Sequence, residues 1–439
     1  MLDEYGPMRG IHRADTVIVG GGLTGLMTGA ALADAGLLVI VLDAQQPGSG
    51  AGSRSVTVMA APVYERIARQ HDWETARLYL KRLQETMAEL SCQQQGICRE
   101  ADAYTYAFLP RDLPALDRQL TLYEKLRLPV MIAQDAGGCP FPVELSLMLP
   151  GQQLLEPERL VAALASRIIR RGGMVCANSR VLDFHSGHVY TLKGRADTPV
   201  VILAAGIPPG TRSRRLLSLL ENRRMLYCRL TGGFPLHSCQ QSVREDGLRL
   251  SPGPGGITAT WCAGRTGTQS AEARTTLFRR VLQGRLKDWQ PGEVSFYQEI
   301  RSLDGLPVIG RLPDMGMQVL CATGYSGHGI LGAQLAAGVL SRQVLGRERF
   351  DDRLYAPDRA LPRRTQLYAL GRMQGIFARN SLRRRAPVCP HMGCRLRYSV
   401  EAQRWECPFC GSVFSMFGQV RSGPALRGKR ISALKRPDL

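Results

Sequence analysis

DTVIVGGGLTGLMTGAALADAGLLVIVLD, residues 15–43, is the stretch from which the rest of the chain is read. Four β-branched residues, Thr16 to Val19, run into a glycine turn. An Ala/Gly/Leu segment of helical composition follows, and a second apolar run ends on Asp43. Each part has a physical task. Gly20 permits a tight turn, Gly22 lets a pyrophosphate approach the backbone, and Gly25 lets the helix pack close to the sheet. The helix N-terminus offers backbone N–H groups and partial positive charge to the phosphates. Asp43 stands where a carboxylate accepts hydrogen bonds from ribose hydroxyls. Glycine turns alone also serve purely structural ends, but strand, turn, helix, strand and acid in register predict a dinucleotide-binding βαβ unit.

Around this unit lie 439 residues, 44% hydrophobic and 21% charged, too many for one core and enough for two or three domains. Apart from the glycine-punctuated stretch Val17 to Leu42, no apolar run is long enough to span a bilayer, and the first fourteen residues contain acids and lack the apolar core of a secretory signal. The expected compartment is therefore the cytoplasm. The net charge of +20 attracts polyanions in general. However, only six of the 57 basic residues are Lys, a bias that genome composition also produces, and the runs at 363–364 and 383–385 fall in what reads as a linker, so nucleic acid is not an expected partner. Of twelve cysteines, eight are scattered singly through residues 92–321 and read as reduced core thiols. Cys389, Cys394, Cys407 and Cys410 fall together.

Three further segments separate the dinucleotide classes. Residues 48–55 (GSGAGSRS) form a second glycine/serine loop soon after Asp43. Residues 200–206 (VVILAAG) read as a buried strand ending in small residues. Residues 318–330 (QVLCATGYSGHGI) read as a strand, a glycine turn and the start of a helix running from Ile330 to Leu345. With residues 301–311 (RSLDGLPVIGR) before the last strand, these resemble the D-amino-acid-oxidase-like flavoprotein family, which includes the glycine, sarcosine and gamma-glutamylputrescine oxidases. The resemblance covers residues 15–350. It implies an α/β fold with a Rossmann-type FAD-binding domain folded from residues 1–75, 145–212 and 300–350, its sheet covered by the helix Pro157 to Gly172. An α+β substrate domain is expected from 76–144 and 213–299, a linker with a short helix from 351–385, and a small β-rich module from 386–439.

The same resemblance assigns residues to the cofactor FAD: Gly20, Gly22, Gly25, Asp43, Arg54, Ser55, Val181, Ala205, Gly206, Gly324, His328, Gly329 and Ile330. It implies a small-molecule amine or amino-acid substrate whose C–H bond lies against the flavin and gives it a hydride. Arg301 and Tyr297 are the catalytic candidates, Arg301 because a guanidinium suits a substrate carboxylate. A structural ion pair is the competing role for Arg301.

Residues 389–425 (CPHMGCRLRYSVEAQRWECPFCGSVFSMFGQVRSGPA) resemble the Rieske 2Fe-2S pattern at Cys389, His391, Gly393, Trp405, Cys407, Pro408, Gly411, Ser412, Gly418 and residues 423–425. Two positions depart from it. Cys410 stands where the second histidine belongs, and Phe409 where a cysteine able to pair with Cys394 is usual. The two-Cys, two-His set is thereby excluded. Three readings remain open: a 2Fe-2S cluster on Cys389, His391, Cys407 and Cys410; a Zn site of two knuckles, His391 with Cys394 and Cys407 with Cys410; or an empty remnant. The leading expectation is an FAD-dependent oxidoreductase acting on CH–NH or CH–NH2 donors that exchanges electrons with the C-terminal centre, with an electron-transfer protein as a further partner. The competing one is a flavin-binding protein with a structural zinc knuckle and no turnover.

Overall fold

The computed structural model describes residues 5–49, 55–94, 96–210, 213–253, 255–266, 271–313, 317–381, 386–399 and 402–429. The apolar run Thr16–Val19 is buried throughout and becomes an inner strand of a six-stranded sheet. The order is Val308–Arg311, Gln318–Thr323, Val200–Leu203, Thr16–Val19, Val39–Leu42, Met174–Cys176. All neighbours are parallel except the first pair. Strands buried on both faces need continuous apolar sequence, and Val39–Leu42 and Val200–Leu203 provide it. The helix Leu23–Asp34 is apolar nearly all round because it is enclosed by the sheet and by the helices Pro157–Arg170 and Gly329–Val344.

A second sheet of nine strands is mostly antiparallel, and its two longest strands, Leu220–Gly232 and Trp289–Ser302, pair along most of their length. Side chains alternate across such a pair. Glu221, Arg223, Tyr297, Glu299 and Arg301 therefore share one face, and Asn222, Arg224, Phe296, Gln298 and Ile300 the other. The strand Leu145–Leu155, grouped from sequence with the cofactor pieces, pairs instead with Cys98–Ala107 in this sheet. A small four-stranded sheet, Gly10–Arg13, Gly194–Asp197, His188–Thr191 and Val181–His185, flanks the cofactor body.

Residues 351–381 form more regular structure than the linker with a short helix expected. A 3-10 turn, Phe350–Tyr355, leads to a helix of 19 residues, Arg363–Ser381. Between them the buried Arg359 grips Asp304 through two 2.8 Å bonds and donates to the carbonyls of Leu306 and Pro307. Pro357 and Pro362 flank this anchor, while residues 382–385 lie outside the described residues.

The C-terminal module is a four-stranded antiparallel sheet, Arg397–Ser399, Arg404–Glu406, Val413–Ser415 and Val420–Ser422. Its core is Leu396, Trp405 and Phe414, with Tyr398 tilted against Trp405 at 4.8 Å between ring centroids. It docks on the outer face of the long strand pair. Gln298 Nε2 donates to the Gly411 carbonyl at 2.8 Å, Asn222 donates to Gln298, and Arg224 meets Glu406 in a buried pair at 2.5 Å. No helix among the described residues is long and apolar enough to cross a membrane.

Candidate active site and metal centre

The cofactor end of the six-stranded sheet is formed by backbone. Gly20 has φ +116°, and a Cβ on Gly25 would stand 1.9 Å from the Gly20 carbonyl oxygen, so neither position accepts a side chain. At Gly22 the same Cβ would meet nothing within 4 Å. That open space lies at the first turn of Leu23–Asp34, where Gly22 is the N-cap and no side chain caps the free N–H groups. The helix Gly329–Val344 also starts uncapped, after His328, and neither helix has an acid in its first turn. Two bare helix N-termini suit a pyrophosphate-bearing cofactor. Asp43 Oδ2 accepts from Gly21 N and Oδ1 from Gln45 N, both at 2.7 Å. Each oxygen keeps a lone pair for a hydroxyl. Burial raises the Asp43 carboxyl, with Arg180 opposing.

The other predicted cofactor residues gather around this end. Ala205 and Gly206 follow Val200–Leu203, and Gly206 (φ +75°) lies against Ile300. Val181 is buried just beyond Ser179, whose N–H donates to the Asp43 carbonyl at 2.6 Å. Gly324, His328, Gly329 and Ile330 form the turn into the last cofactor helix. The Ser55 backbone pairs with Leu154. Arg54 and most of the second glycine loop lie outside the described residues.

That turn opens on a cleft lined by Ser326, Gly327, His328 and Ile330 on one side and Tyr297, Arg301, Glu245, Arg249 and Arg66 on the other. Both catalytic candidates are here, but Arg301 is already engaged. Its Nε bonds Glu299, and its Nη1 lies 3.2 Å from Glu245. Burial alone would raise Glu299 and Glu245; Arg301 next to both, with Arg249 and Arg223, holds them below the usual carboxylate range. Arg301 is thus part of a charge network that braces the cleft wall. Arg66, on the helix Ala61–Gln70, differs. It donates to the Ser302 carbonyl at 3.2 Å and makes no ion pair among the described residues, and burial together with Arg301 lowers its affinity for its proton. Sequence reading missed it because an arginine on an amphipathic helix carries no motif.

His328 is enclosed by Tyr64 and Tyr79, each 5.7 Å away between ring centroids, with the two hydroxyls 3.5 and 3.4 Å from Nε2 and Nδ1. Burial pushes it down to about 4, so it is neutral at neutral pH. Burial raises the Tyr297 phenol, and Glu299 raises it further.

Across the sheet, the Sγ atoms of Cys389, Cys407 and Cys410 lie within 4.8 Å of one another, all three buried. Cys394 and His391, both buried, lie outside this group of three, and Cys394 Sγ donates to the Arg395 carbonyl at 3.8 Å. Hydrogen bonds from Cys407 and Cys410 draw the Cys389 thiol well below its ordinary range, while burial pushes those two up. Three thiols turned to one point in a dry core are a ligand set for a soft metal.

Comparison with known proteins agrees with this geometry. The family model "FAD dependent oxidoreductase" (DAO) matches residues 15–343. A putative Rieske 2Fe-2S iron-sulfur protein, YhfW, of Bacillus subtilis (strain 168) is 23% identical over 97% of this chain and 94% of its own. Glycine oxidase from Geobacillus kaustophilus shares the fold with TM-score 0.63 and 19% identity over 80% of this chain and all of that one. L-proline dehydrogenase from P. horikoshii does so with TM-score 0.60 and 16% identity over 79% and 97%. With the match spanning three quarters of its length, the chain belongs to the DAO family of FAD-dependent oxidoreductases.

Proposed function

We propose that the chain binds FAD between its two uncapped helix N-termini and oxidises an amine or amino acid in the adjoining cleft. Bound there, FAD supplies the hydride acceptor for the substrate C–H bond. The observation that carries the reading is the meeting of the glycine turn at 324–330 with a charged cleft in which Arg66 donates to the Ser302 carbonyl and makes no ion pair among the described residues. A carboxylate-bearing amine would be held at Arg66 by a charge-assisted bond, while Arg301 keeps Glu299 and Glu245 in place. Tyr297 stays protonated and His328 stays neutral through the neutral range, so both orient ligands and exclude water rather than carry protons there. On this reading residues 1–75, 156–212 and 300–350 bind the cofactor, and 76–155 and 213–299 form the substrate wall. The glycine oxidase and L-proline dehydrogenase neighbours are consistent with a small amino-acid substrate. Purified protein, yellow with bound flavin, should bleach when amino acids or amines are added without oxygen. A flavin that stays oxidised across a broad panel would instead indicate a binding protein without turnover.

A second reading, electron exchange between cleft and cysteine centre, is favoured by one observation. Tyr297 faces the cleft, and its neighbour Gln298 bonds Gly411, beside Cys410, so a single strand pair separates the two sites. It requires a redox-active metal in the module, within the chain or serving an external electron-transfer protein.

A further inference from the structure

We infer that the C-terminal cysteines hold one metal ion, bound by the thiolates of Cys389, Cys407 and Cys410, and not a two-iron cluster. The inference stands apart from the flavin reading, because it concerns only the module.

The two loops superimpose in sequence without a gap, CPHMGC at 389–394 on CPFCGS at 407–412. They also share a backbone pattern. Gly393 N donates to the Cys389 carbonyl and Gly411 N to that of Cys407, both at 2.9 Å. Cys389 N donates to the Cys394 carbonyl and Cys407 N to that of Ser412, both at 2.8 Å. Gly393 (φ +78°) and Gly411 (φ +71°) make the same left-handed turn in each. Such paired knuckles aim their cysteines at one point.

The spacing of the sulfurs decides the nuclearity. In the Rieske pattern the residues at 389 and 407 belong to one iron, and those at 391 and 410 to the other. Thiolates at 389 and 410 would then be held apart by the sulfide-bridged pair of irons. The structure puts Cys389 Sγ and Cys410 Sγ 3.8 Å apart, with Cys407 Sγ within 4.8 Å of both. Metal–sulfur bonds of about 2.3 Å around one tetrahedral ion give an edge of about 3.8 Å. Both thiolates therefore fit a single ion, and no space is left between them for bridging sulfides.

Cys394 occupies the place of Ser412, not that of Cys410, and its Sγ bonds the Arg395 carbonyl at 3.8 Å, outside the group of three. The Ser412 hydroxyl lies 3.1 Å from Cys410 Sγ. The three converging thiolates are therefore the protein ligands assigned to the ion. Phe409, where the Rieske pattern has the partner of Cys394, packs on Phe377 at 5.9 Å, so no disulfide competes for Cys394. Zinc and iron both accept this set of thiolates.

The test uses the full-length chain purified anaerobically without chelator and analysed for zinc, iron and acid-labile sulfide, with X-ray absorption at the metal edge. The expected result is one zinc or one iron per chain, no sulfide, about three sulfur neighbours and no metal–metal scatterer; the element present identifies the ion. Two irons with two sulfides, a metal–metal vector, or a chain folded without metal would overturn the inference. Among variants, Cys410→Ser should lower metal content by about tenfold or more. A Cys410→Ser chain that still holds one metal ion would refute the assignment. Should Cys410→Ser fail to fold, the wild-type stoichiometry and the metal-edge spectrum still decide.

Discussion

At residues 20–25 backbone shape makes a site, whereas at residues 389–410 side-chain sulfur makes one. The first is embedded in a large core and needs glycine where a Cβ would intrude, so it is built whether or not a ligand is present. The second belongs to a module of short strands in which the thiols are buried beside Leu396, Trp405 and Phe414. With the single ion inferred above in place, such a small β module would draw part of its stability from the metal. The two sites therefore differ in what damages them: steric intrusion in one, loss of a ligand or of docking in the other.

The largest expected effect tests the backbone side of this contrast. Gly22→Val should fold, because its Cβ meets nothing within 4 Å, yet purify with flavin content reduced by about tenfold or more, since the side chain fills the space a pyrophosphate would enter. Circular dichroism and flavin absorbance read the two halves of that statement. A folded Gly22→Val protein that stays fully yellow would show that the cofactor lies elsewhere.

On the module side the expected effect is on docking. Glu406→Ala leaves Arg224 buried without its carboxylate, and breaking a buried pair in this way costs about 3–5 kcal/mol. The module should become sensitive to protease before the flavin body does. If both are lost together in one transition, module and body form a single cooperative unit.

A smaller effect distinguishes the two guanidiniums of the cleft. Arg66→Ala should raise KM for a carboxylated substrate by the loss of a charge-assisted bond, about 1.5–3 kcal/mol or roughly tenfold to a hundredfold. It should leave flavin content unchanged. Arg301→Ala would instead remove the shared partner of Glu299 and Glu245, leaving them to Arg249 and Arg223, and lower stability. Equal KM effects with no loss of stability would return the substrate role to Arg301.

The contrast between backbone and side chain also explains what could be read in advance. The βαβ start was legible because each of its glycines answers a steric demand fixed by local sequence, and Asp43 falls at a set distance from them. The Rieske-like loops were legible as ligand pairs for the same local reason. What local sequence does not encode is which thiols converge, as the nearness of Cys389 to Cys410 is set by how two loops pack. Nor does it encode that Arg301 faces two carboxylates, one of them Glu245 from a loop 56 residues away. Arg359 and Asp304 are a third case. Their buried pair turns an apparent linker into part of the body, and nothing near either residue in sequence announces it.

The measurement that bears most directly on the central claim is an anaerobic titration of the yellow protein with amino acids and amines, followed to product. The account predicts that at least one carboxylated amine reduces the bound flavin, giving one carbonyl product per flavin after hydrolysis of the imine. Flavin that remains oxidised with every amine offered, while a chemical reductant still bleaches it, would contradict it.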